Sequence, residues 1–62
     1  MTIPINKNCL CLRSKKGLFT KGKSYLVSLL YQTQDGDFMV QVQDDMNLTV
    51  QVYAKRFLLP AI

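Results

Sequence analysis

Residues 17–27 read Gly-Leu-Phe-Thr-Lys-Gly-Lys-Ser-Tyr-Leu-Val, a glycine-punctuated basic loop that runs straight into an alternating apolar segment. Alternation at period two belongs to a strand, because successive side chains leave a strand on opposite faces. The same period recurs downstream. Phe38, Val40 and Val42 alternate with Met39, Gln41 and Gln43, and Leu48, Val50 and Val52 alternate with Thr49, Gln51 and Tyr53. No segment carries the 3.6-residue period of an amphipathic helix, so the chain is all-β.

The pattern predicts strands over 8–14, 23–31, 37–43 and 48–53. Residues 1–7 form an extended N-terminal arm ahead of them. In the second strand Tyr25, Val27, Leu29 and Tyr31 share the inner face, and Ser24, Leu26, Ser28 and Leu30 share the outer one. Asp35-Gly36 is a hairpin signal, and Asp44-Asp45-Met46-Asn47 is a turn built from residues that tolerate tight backbone. Residues 54–58 suit a single helical turn. Pro60 excludes a long terminal helix and leaves 58–62 as a tail or short last strand.

Sixty-two residues hold one small core and one domain. A chain this short cannot fill two large sheets. A bent meander of about five short antiparallel strands, closing into an SH3-like barrel, protects its edges most economically. Cys9 and Cys11, two apart on one strand, point to the same face about 7 Å apart, which is too far for an unstrained bridge. Reduced thiols in a cytoplasmic protein are the expectation. The N-terminus lacks a signal-peptide core, and the apolar stretch 25–31 is too short to span a bilayer.

The order Cys11-Leu12, then Phe19-Thr20-Lys21-Gly22-Lys23-Ser24-Tyr25-Leu26-Val27, then Asp44-Asp45, then Arg56-Phe57 resembles a group of short, mostly uncharacterised bacteriophage and prophage proteins. The resemblance covers roughly residues 9–58. It departs at Met46-Asn47, where the group has or soon reaches Gly, and in the chain's basic balance. It implies an SH3-like barrel and a phage origin. It implies no catalytic residue and no cofactor.

The net charge is +4 and unevenly placed. Six of the eight basic residues precede residue 24, and all four acids (Asp35, Asp37, Asp44, Asp45) lie between the two basic flanks. Catalysis has little to work with. The chain has no His, and its carboxylates sit in turns where water keeps them ordinary. Gly17, Gly22 and Lys23 lack the spacing of a phosphate loop and precede a strand. Gathered at one barrel end, the four Asp residues would suit a hard cation, but their spacing does not match a calcium loop and turn formation explains them, so no metal site is expected.

Two binding surfaces remain. Leu26, Leu30, Met39 and Tyr53 form an outward apolar patch on neighbouring strands, the mark of a protein interface, unless the second strand bends midway so that its two halves bury opposite faces. Arg13, Lys15, Lys16, Lys21 and Lys23 surround Phe19, the arrangement by which small barrels hold single-stranded nucleic acid; the alternatives are that the cations only solvate this face and that Phe19 belongs to the core. The expectation is therefore a non-enzymatic protein that recognises a host protein through the patch, with the basic loop steering it to an acidic partner. A nucleic-acid-binding barrel and a homodimeric module are the alternatives.

Overall fold

The computed structural model describes residues 2–60, which form one curled antiparallel sheet. Its strands are β1 (Thr2–Cys11), β2 (Ser24–Gln32), β3 (Phe38–Gln43), β4 (Thr49–Tyr53) and β5 (Phe57–Leu58), in the order β4-β3-β2-β1-β5. One 3₁₀ turn, η1 (Ala54–Arg56), joins β4 to β5. The fold is thus the all-β half-barrel expected from the alternation, with the single helical turn where Pro60 and the 54–58 segment put it. Among the described residues no helix is long and apolar enough to cross a membrane.

The first strand begins earlier than the pattern indicates. Residues 2–7 are part of β1, paired with β2 from Thr2↔Tyr31 onward, and not a free arm. Polar Asn6 and Lys7 interrupt the apolar rhythm there because the strand is bulged: the register slips between Pro4 and Lys7, and Asn6 takes a φ of 52°. Met1 of the expected arm, and Ala61 and Ile62 of the expected tail, lie outside the described residues. Residues 12–14, read as strand, belong to the loop after β1.

A second bulge lies beside the first. The β2–β3 register slips between Val27 and Leu29. Both strands therefore bend at one level, which is how a short sheet turns a barrel corner. The bend reverses the alternation along β2. Tyr25 and Val27 are buried in the first half, and Leu30 is buried in the second. Leu29 and Tyr31, on the same nominal face as Tyr25, turn half-outward instead.

The core is a valine-rich row. Val27, Val40 and Val42 are fully buried, and Ile5, Leu30, Val52 and Ala54 close around them. Burial of each large aliphatic side chain contributes about 1.5–3 kcal/mol. Cys9 and Cys11 are buried free thiols on the same face of β1. Phe38 and Leu48 keep the inward parity of their strands but project past the core at the two barrel mouths, so both are exposed.

Candidate functional site

The outer face of β2, β3 and β4 carries the expected patch with a changed membership. Leu30 does not belong to it. The bulge at Ser28 turns Leu30 inward, where it is 8% exposed and aligned with Ile3 and Val40 across the sheet. Its place is taken by Leu29 and Tyr31. Tyr31 is in register with Met39, and Met39 with Tyr53, so the three form one outward row. The Tyr31 hydroxyl donates to Gln51 Oε1 at 2.7 Å, which holds the ring across β3. Leu26 is exposed, as expected, and continues the apolar line along β2 from the far side of the bulge.

At the η1 end the barrel mouth opens as a cleft of about 720 Å³, lined by Leu30, Phe38, Tyr53, Ala54, Lys55 and Leu59, and it meets the outer face at Tyr53. Phe38 and Tyr53 are 50% and 49% exposed. Lys55 Nζ lies 5.6 Å from the Tyr53 ring centroid, a cation–π contact that sets a positive charge at the rim. The sequence reading missed Leu29, Tyr31, Phe38, Lys55 and Leu59. Phe38 was hidden by its inward parity, and Leu29 and Tyr31 by a bulge whose one signal is a serine in an otherwise apolar strand. A second exposed strip, Leu12, Leu10 and its register partner Leu58, lies on the β1–β5 side and carries no aromatic residue.

The basic loop is organised from within. Phe19 is not a surface platform. It is 3% exposed and packs edge-to-face against Tyr25 at 4.9 Å and Phe57 at 5.3 Å. The Lys15–Phe19 turn folds it under the loop: Phe19 N–H donates to Lys15 C=O at 2.8 Å, and Lys15 N–H donates back at 2.9 Å. Tyr25 then ties three segments together. Its hydroxyl accepts from Thr20 N–H at 2.7 Å and donates to Asp45 Oδ1 at 2.9 Å. Arg56 Nη1 donates to the carbonyls of Arg13 and Ser14, both at 3.2 Å, and pins the start of the loop to η1.

Lys23 differs from the other loop cations because its Nζ pairs with Asp45 Oδ1 at 3.0 Å. The hydrogen bond from Lys23, with a second from Tyr25, holds the Asp45 carboxyl below its ordinary value, and the same pair raises Lys23. Lys15, Lys16, Lys21 and Arg13 are exposed, and among the described residues none of them forms an ion pair. The loop therefore presents these four cations without an aromatic face between them.

The acids do not gather. Asp35 and Asp37 lie before β3 and Asp44 and Asp45 after it, at opposite ends of that strand. Asp44 is buried and organises its own turn, its Oδ1 accepting from Met46 N–H at 2.9 Å and Leu48 N–H at 3.0 Å. This is the local side-chain-to-backbone bonding that places Asp in turns. Burial raises the Cys9 thiol above its ordinary value, which Lys7 only partly opposes, so the group stays protonated and poorly nucleophilic.

No protein-family model, no curated protein and no solved structure matches this chain.

Proposed function

We propose that the protein is a non-enzymatic binding module of phage or prophage accessory type, which docks a host protein on the cleft at the η1 end and the adjoining outer face of β2–β4. The observation that carries this reading is the pair of half-exposed aromatic rings, Phe38 and Tyr53, flanking a cleft floored by Leu30. Tyr53 joins that cleft to the outer face, where it is in register with Met39 and Met39 with Tyr31. Buried aromatic anchors in an apolar pocket supply most of the energy of a protein interface, while surrounding charges act on encounter rate and orientation. The steering role falls to Arg13, Lys15, Lys16 and Lys21, which favour an acidic partner in the host cytoplasm.

Nucleic-acid binding draws support only from those same cations. Stacking on an aromatic side chain is a main source of single-strand affinity, and Phe19 lies in the core. Capture of a partner from host lysate by the intact protein, repeated with the Phe38→Ala/Tyr53→Ala variant, tests the reading. Loss of the partner in the double variant is the expected result. Retention of random single-stranded DNA at low salt, with steep salt dependence and no protein partner, favours the nucleic-acid alternative.

A further inference from the structure

The half-barrel leaves two sheet edges open, and only one of them is protected. The outer edge of β1 between Thr2 and Cys9 carries Pro4, the left-handed Asn6 with its bulge, and Lys7. Hydrogen bonding alternates along antiparallel strands. Counted from the Thr33 N–H bond to Asp37 C=O, this alternation points Leu30 toward β1 and Pro4 away from β2. The missing proline donor thus lies on the open side. Proline, a lysine and a bulge are the devices that stop edge-to-edge pairing.

The edge of β4 has none of them. Residues 46–54 carry no charge and no proline, and the β3–β4 register runs from Met39↔Tyr53 to Gln43↔Thr49 without a slip. Asp44 N–H donates to Leu48 C=O at 3.0 Å, so Leu48, Val50 and Val52 bond toward β3. The backbone groups of Thr49, Gln51 and Tyr53 therefore face outward. Among the described residues the backbone groups of Thr49 and Gln51 and the Tyr53 N–H have no strand partner, while the Tyr53 carbonyl opens η1 as its N-cap.

We infer that this edge pairs with the same edge of a second copy, antiparallel, about a two-fold axis at Gln51. The strand is self-complementary in that register. Gln51 meets Gln51 of the second copy, each Thr49 meets Tyr53, and each Val50 meets Val52. Gln51 bonds Gln51 in both directions, the Tyr53 N–H donates to the Thr49 carbonyl, the Thr49 N–H meets the second lone pair of the Tyr53 carbonyl, and every side chain keeps its face of the sheet. Charge agrees with the same register. It brings the Asp45 turn of each copy alongside the Lys55–Arg56 turn of the other, and it places no like charges opposite one another along the strand. The outer faces of the two copies become one continuous surface. This inference does not rest on the host-protein reading, because the pairing uses the backbone of β4 and leaves Phe38 untouched.

Sedimentation equilibrium of the full chain across a concentration series tests the pairing. The expected result is twice the chain mass at high concentration, falling to one chain mass on dilution. Gln51→Pro removes an outward-facing donor that β3 does not use, a position where an edge strand tolerates proline. It is expected to hold the protein at one chain mass with unchanged circular dichroism. Register is tested by cysteine placement. Hydrogen-bonded antiparallel partners stand about 5.5 Å apart at Cα, within disulfide reach. Gln51→Cys is therefore expected to cross-link two chains under mild oxidation, and Thr49→Cys, which faces Tyr53, is not. A single-chain mass at every concentration up to about 1 mM, the millimolar limit of weak association, overturns the inference. So does cross-linking of Thr49→Cys as readily as Gln51→Cys, and that comparison decides the matter even where Gln51→Pro fails to fold.

Discussion

The two ends of the barrel use the same chemistry for opposite purposes. At the loop end a lysine covers a tyrosine, Lys23 over Tyr25 at 5.7 Å, and the ring packs with Phe19 and Phe57. At the η1 end a lysine again covers a tyrosine, Lys55 over Tyr53 at 5.6 Å, with Phe38 lining the same cleft. The rings of the first set are buried, hydrogen-bonded through the Tyr25 hydroxyl and closed by Asp45; those of the second are half-exposed and border open space. The difference teaches that aromatic and basic residues are not by themselves evidence of a site. What distinguishes the ends is whether the polar atoms of the set are already satisfied inside the chain.

That contrast is open to test by substitution at each end. Phe57→Ala is expected to have the largest effect. It removes the ring that touches both Phe19 and Tyr25, and a buried Phe→Ala change costs about 3–5 kcal/mol. Urea unfolding followed by circular dichroism measures it, and a cost below about 1 kcal/mol, the size of an ordinary surface change or less, breaks the comparison. Tyr25→Phe keeps the ring and leaves the Thr20 N–H without its acceptor, for an expected loss of about 1–3 kcal/mol. Tyr53→Ala at the other end is expected to move stability by no more than about 0.5 kcal/mol, because the ring is half in water.

The smallest expected effect is on pH dependence. Asp45 titrates below its ordinary value in the folded protein, so its contribution is present above the usual carboxylate range and is lost as pH falls through the folded value. Lys23 is raised, so its contribution is present below the usual lysine range and is lost as pH rises through its folded value. The ion pair is therefore expected to contribute evenly across neutral pH and to fade at both extremes. Asp45→Asn should flatten the acid limb of the thermal midpoint measured against pH. An acid limb unchanged by that substitution contradicts the role given to Asp45.

Much of the architecture was legible in the residues. Val40, Val42 and Val52 alternate with polar partners, so their strands and core face follow directly from period two. The 3₁₀ turn follows from what precedes Pro60. The candidate face was legible only in part. Met39, Tyr53 and Leu26 lie outward as the alternation requires, but Leu30 does not, because parity carries no information across a bulge and nothing but Ser28 marks one. Phe19 was open to both a surface and a core reading for a different reason. A phenylalanine between lysines has no periodic context, and only the backbone pairing of Lys15 with Phe19 reveals that the loop folds over it. The long β1 was obscured by its own bulge, at Asn6, which breaks the apolar pattern without ending the strand.

In the proposed function, recognition belongs to the η1 end and the outer face and not to the basic loop. The most direct measurement compares recovery of a host-lysate partner by three tagged proteins: the natural chain, Phe38→Ala/Tyr53→Ala, and Lys15→Ala/Lys16→Ala/Lys21→Ala. The account predicts that the aromatic double variant loses the partner by tenfold or more, at about 1.4 kcal/mol per factor of ten. The lysine triple variant should keep the partner at equilibrium and bind it more slowly. Full recovery by the aromatic variant, with loss confined to the lysine variant, contradicts it.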